Sequence, residues 1–98
     1  MNIIEHLLVC LTEECGEIIQ AADKALRFGL DDHAPGRNQT NLEDLVKEVN
    51  DLVAVIEVLD KSGVTFSGLF SRDDIEAKKK KIQHFLEYAV SRGTTQEE

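Results

Sequence analysis

The sequence predicts an all-α protein. Apolar residues recur at helical spacing through three long segments, two of which open on a capping signal, and each segment closes at a glycine. No pair of strands is signalled. The chain has 98 residues, which suits one domain, 1–98, with a modest core. Hydrophobic residues make up 42% and charged residues 31%, the balance of an ordinary soluble globular protein. Only 5% are aromatic and none is Trp, so Leu, Ile and Val must carry most of the packing.

The first helix is predicted from about Asn2 to Phe28, with Gly29 as its stop. Gly16 lies inside it at a cost in helix propensity, either to let a backbone approach closely or incidentally. The polar stretch "GLDDHAPGRNQT" follows and holds the only proline. Thr40 with Glu43 three residues later forms a capping box and starts the second helix, which runs to about Ser62 and stops at Gly63. The connector 64–71 is apolar and carries no assignable form. Ser71 with Asp74 starts the third helix, which continues to Gly93. The tail 94–98 is expected to fray. There are no repeats and no sign of a second domain.

The net charge is −8, which argues against a broad face for a nucleic acid polymer yet leaves room for an anionic ligand bridged by a metal. No apolar run is long enough for a membrane span. The start "MNIIEHLLVCL" lacks a basic region and carries Glu5 and His6, so no signal peptide is expected and the expected location is cytoplasmic. Cys10 and Cys15 stand five apart on one helix, so they turn roughly 140° from one another and cannot bridge within it. They read as small buried apolar residues.

The acids of the first two helices break the apolar pattern. On a helical wheel, Leu7, Leu11, Ile18, Ala22 and Ala25 mark the apolar arc of the first helix, and Glu14 falls inside it. Glu17 lies near its edge and Glu13 further out. Leu45, Val49, Leu52, Ile56 and Leu59 mark the arc of the second helix. Glu48 falls inside it and Asp51 at its margin. Facing residues of an antiparallel hairpin keep a nearly constant index sum, and the pairs Glu14/Asp51 and Glu17/Glu48 share one. Each helix contributes its two acids at i, i+3, on one face. A hairpin would therefore gather four carboxylates, which stay charged together only around a cation. Ligands that are all oxygen suit a hard ion, Mg2+ or Mn2+.

With those residues in hand, a family resemblance emerges. Glu13-Glu14-Cys15-Gly16-Glu17 resembles the EExxE motif of the MazG-like all-α nucleoside triphosphate pyrophosphohydrolases. Glu48-Val49-Asn50-Asp51 is similar to their ExxD motif. The two stand in the family's order on consecutive helices, and the resemblance covers roughly Leu7 to Leu59. It implies a helical bundle of the all-α NTP pyrophosphatase type, completed by homo-oligomerisation as a homodimer or a dimer of dimers. It implies hydrolysis of a (d)NTP to the (d)NMP and pyrophosphate, with Glu14, Glu17, Glu48 and Asp51 as Mg2+ ligands. Glu13 would be an outer ligand or a residue that orients water. No residue set distinguishes one base from another.

The basic run Lys78 to Lys81 reads as a solvated helix face or as a phosphate contact. Lys78 and Lys79 flank the apolar face marked by Ile75 and Ile82 and are the expected contacts, while Lys80 and Lys81 point away. Lys24 and Arg27, near the end of the first helix, are further candidates. His6 and His84 form no Glu-x-x-His pair of the di-iron type. Phe28 reads as a helix-end packing residue in preference to a base platform. The loop holding Asp32, His33, Arg37 and Asn38 reads as a connection, long enough to order on a substrate. The reading from another class is a non-catalytic helical oligomerisation or partner-binding module whose acids serve charge pairing.

Overall fold

The computed structural model describes residues 1–97. Glu98, the last residue of the tail expected to fray, lies outside them. Three helices form the chain, α1 (Ile3–Phe28), α2 (Asn41–Lys61) and α3 (Arg72–Ser91), and there are no strands among the described residues. No helix is long and apolar enough to cross a membrane among the described residues. The chain divides into two compact units, Met1–Phe66 and Ser67–Glu98.

Side chains start each helix. Asn2 accepts from the Glu5 amide, and Ser71 accepts from the Asp74 amide. The capping box of α2 is complete: the Thr40 side chain accepts from the Glu43 N–H, and the Glu43 carboxylate accepts from the Thr40 N–H. These bonds satisfy amides that the first turn of a helix leaves without partners.

The first unit is a hairpin of α1 against α2. Its packing resolves into stripes at alternating spacings of three and four, the pattern of a heptad seam. On α1 the inner stripe is Leu7, Leu11, Glu14, Ile18, Ala21 and Ala25, all buried or partly buried. On α2 it is Asn41, Leu45, Glu48, Leu52, Val55 and Leu59, equally withdrawn from solvent. Ala21 thus takes the buried place on α1, and Ala22, expected in the arc, is exposed. Leu59 is fully buried at 0%, so truncating it to Ala would cost on the order of 2–5 kcal/mol.

A second apolar stripe runs one residue later on each helix. On α1 it is Leu8, Thr12, Cys15, Ile19, Ala22 and Leu26, every member exposed. On α2 it is Leu42, Val46, Val49, Val53 and Ile56, the first three exposed and the last two partly so. The helices run antiparallel, so a shift of one residue turns both stripes to the same side. The hairpin therefore presents one continuous apolar face.

The connection between α1 and α2 is tied down. The Asn41 and Leu42 amides donate to the Asp32 and Leu30 carbonyls, and the Asn41 side chain donates to the Gly29 carbonyl. Arg37 bonds Gln39 and Asp44. After α2, the Val64 amide donates back to the Leu59 carbonyl. Phe70, in the second unit, takes a φ of 64°, a left-handed conformation that costs a residue with a side chain roughly 1 kcal/mol.

In the second unit α3 leaves Ile82, Phe85, Leu86 and Tyr88 exposed. Beyond its end, Thr94 and Thr95 both donate their amides to the Ala89 carbonyl.

Gly16 meets no close neighbour: a Cβ added there finds nothing within 4 Å. It lies on neither apolar stripe. Replacing Gly16 with Ala is therefore expected to stabilise the fold by about 1 kcal/mol. A guanidinium chloride titration checks this, and a loss of stability would mean that the backbone at Gly16 is packed against something.

Candidate metal centre

The inner stripes carry carboxylates at adjacent levels of the hairpin. Glu14 lies between Leu11 and Ile18 on α1, and Glu48 lies between Leu45 and Leu52 on α2. Asp51 follows one turn later at the edge of the seam. All three are partly buried. One carboxylate oxygen from each of Glu14, Glu48 and Asp51 lies within 4.8 Å of the other two. Ligands on one octahedral Mg2+ stand about 3 to 4 Å apart, somewhat closer than the 4.8 Å limit within which these oxygens lie. The donor set, three carboxylates from two helices, is of the all-oxygen kind that a hard ion takes.

Glu17 and Glu13 stand differently. Glu17 is exposed and outside the three-oxygen cluster, although its charge acts on Glu14. It lines a groove of about 280 Å3 shared with Glu48, Lys24, Arg37, Asp44 and Lys47. Glu13 is exposed and is not part of the cluster.

The electrostatics of the cluster are one-sided. Partial burial, then the charges of Asp51, Glu48 and Glu17, push the Glu14 carboxyl above its ordinary value of 4.5. Lys47 acts against them. It donates to Asp51 at 2.7 Å, and that bond holds its ammonium above the ordinary lysine range. This is the one ion pair that the cluster makes among the described residues. An exposed i, i+4 pair of this kind is screened by solvent and is too weak to balance the other acids. Sequence reasoning passed over Lys47, although its i, i+4 spacing from Asp51 was the available signal.

The candidate phosphate contacts belong to both units. Lys24 opens onto the groove beside Glu17 and Glu48. Arg27 pairs with Asp23 at 3.5 Å and covers the Phe28 ring, with its guanidinium carbon 4.9 Å from the ring centroid. Lys78 and Lys79 belong to the second unit, where both are exposed. Lys79 donates to Glu76 at 3.2 Å. Lys78 lines a groove on α3 together with Lys81, which the helical wheel had turned away from it.

Comparison with known proteins adds no assignment: no family model matches the chain, and neither a curated protein nor a solved structure does.

Two glutamates have opposite pH signatures in the metal-free protein. Glu14 is raised, so the fold binds its proton more tightly than the unfolded chain does. Its contribution favours the fold at low pH and is lost as pH rises through the raised pKa. Glu43 is held below its ordinary value of 4.5 by the Thr40 backbone and side-chain bonds. Its contribution is present above that ordinary value and is lost as pH falls through the lowered one. A carbon-13 titration of the side-chain carboxyls is expected to place Glu14 above and Glu43 below free glutamate. Glu48→Gln should bring Glu14 back toward the ordinary value, and Glu43 should not move.

Proposed function

We propose that the chain is a metal-dependent nucleoside triphosphate pyrophosphohydrolase of the MazG-like type. The carrying observation is the convergence of Glu14, Glu48 and Asp51 in the seam of the hairpin, with only Lys47 to offset them. The EExxE and ExxD resemblance gives that convergence its chemical direction. The reaction adds water across a phosphoanhydride, (d)NTP + H2O giving (d)NMP + pyrophosphate.

Glu14, Glu48 and Asp51, with Glu17 at the rim, would hold Mg2+. A bound Mg2+ would neutralise phosphate charge and lower the pKa of a coordinated water. The acids repel a polyphosphate unless a cation intervenes, so the same residues that bind the ion exclude a metal-free substrate. Glu13, exposed beside them, can orient water. Lys24, in the groove with Glu17 and Glu48, can meet a phosphate oxygen and add to charge neutralisation. Lys78 and Lys79 of α3 remain candidates for the same duty. Lys47 keeps Asp51 oriented and must yield part of that carboxylate when an ion binds.

The assembly is part of the proposal. The continuous face made by the Leu8–Leu26 and Leu42–Ile56 stripes is larger than isolated exposed apolar residues explain. A second copy would cover it in a four-helix arrangement, as homodimer or dimer of dimers. The same face would also serve a non-catalytic oligomerisation module, the alternative from another class. Magnesium-dependent release of pyrophosphate separates the two.

Glu14→Gln removes the charge that the fold tolerates least. The variant is expected to melt at or above the parent temperature without metal and to lose at least about 100-fold in pyrophosphate release. It should also lose most of the Mg2+-induced rise in Tm, which arises because an ion binds only the folded site. A lower metal-free Tm with turnover intact would mean that the cluster is structural.

Ile19→Glu together with Val46→Glu places charge on the apolar face, where both side chains are exposed in the single chain at 69% and 52%. Light scattering should then report monomers, with helicity retained by circular dichroism. An unchanged oligomer would put the interface elsewhere.

A further inference from the structure

A second cavity, of about 200 Å3, opens where the end of α1 meets the start of α2. Lys24, Arg37 and Asp44 line both this cavity and the groove that reaches Glu17 and Glu48. The two therefore adjoin, and the acids lie on the far side of the groove's shared residues. Sites for drug-sized ligands run from about 300 Å3 upward, so this end suits one ring system, with the rest of a ligand extending toward the acids.

Its walls are chemically selective. Phe28 is 57% exposed and lines the cavity. Arg27 covers the ring but is not among the lining residues, so ring surface remains for a ligand. Asn41 also lines the cavity and is 7% exposed. Its side-chain amide donates to the Gly29 carbonyl at 2.8 Å, which fixes the group and leaves its oxygen as the acceptor available to a ligand. Asp32 contributes a carboxylate that makes no ion pair among the described residues. Its backbone is held by the Asn41 amide. The first amides of α2 are all bonded, to Asp32, Leu30 and Thr40, so the helix start offers no phosphate site. The cavity thus combines an aromatic surface with the acceptors Asp32 and Asn41, beside the donors Lys24, His33 and Arg37 that can meet a base carbonyl.

We propose that this cavity is the base subsite, with Phe28 stacking on a nucleobase and Asp32 and Asn41 accepting from its N–H groups. The proposal rests on the hydrolase reading for the remainder of the substrate. A carboxylate only accepts hydrogen bonds, so the subsite favours a base edge with adjacent N–H donors. Guanine offers its N1–H and N2–H side by side. Uracil offers one N–H flanked by two carbonyls, which would face Asp32 with repulsion.

The test uses the full chain labelled with nitrogen-15, titrated with guanosine or uridine monophosphate. Amide shifts are expected to centre on Phe28, Asp32 and Asn41, with guanosine monophosphate bound at least about tenfold more tightly. Asp32→Asn turns part of the acceptor into a donor and should narrow or reverse that ratio. Phe28→Ala should weaken both nucleotides similarly. Tripolyphosphate with Mg2+ should move the amides near Glu14 and Glu48 and leave Phe28 unmoved. If neither nucleotide shifts the cavity amides at millimolar concentration, or if Asp32→Asn leaves the ratio unchanged, the subsite is overturned. Cavity shifts without pyrophosphate release from any triphosphate would support the subsite and sink the hydrolase reading. Pyrophosphate release with the cavity amides unmoved would do the opposite.

Discussion

Two heptad stripes meet where α1 and α2 pack, and a carboxylate occupies a seam position in each. Burial of Leu7, Leu11, Ile18 and Ala21 against Leu45, Leu52, Val55 and Leu59 drives the hairpin together. The same packing carries Glu14 and Glu48 toward one another. The hydrophobic term wins because many apolar positions outnumber two acidic ones, and because the seam is shallow enough for the acids to retain water. The cost appears in the Glu14 carboxyl, raised by partial burial and by its acidic neighbours.

The register of the seam also fixes what lies outside it. A stripe one residue later is apolar on both helices, and antiparallel geometry turns both stripes to one side. The face that results includes Leu8, Ile19, Leu26, Leu42 and Val46, all exposed. The carboxylates lie in the inner seam, a quarter turn or so from that face. Contacts across the face can therefore stiffen the helices that hold the acids without occupying the cluster. The connection after α1 is held just as firmly, by backbone bonds at Leu30 and Asp32 and by the Arg37–Asp44 pair. A loop tied in this way can form walls in the absence of a ligand, which a freely moving lid cannot do.

Much of this was legible in the sequence because it depends on period and capping. Thr40 with Glu43, Ser71 with Asp74, and the glycines after each helix mark boundaries that local hydrogen bonding enforces. The approach of Glu14 to Asp51 followed from a constant index sum. The same arithmetic matched Glu17 with Glu48, which line one groove, while Glu48 also joins Glu14 and Asp51 in the three-oxygen cluster. The cause is the three-four alternation of the seam: a residue on one helix sits between two on the other, so a one-to-one pairing is too coarse. The wheel merged the inner and outer stripes into one arc for a related reason. Ala21 and Ala22 are 100° apart and equally apolar, and only packing against a partner decides which is buried. The wall formed by Phe28, Asp32 and Asn41 was beyond sequence reasoning, because it depends on how an irregular loop folds back on a helix start.

The charge balance of the first unit connects these features. Glu14 and Glu48 stand in the seam with Asp51 at its edge, and Lys24, Arg37 and Lys47 line the groove that also holds Glu17 and Glu48. Lys47 is engaged by Asp51 and Arg37 by Asp44, which leaves Lys24 as the group there that can turn to a new anion without first breaking a bond to an acid.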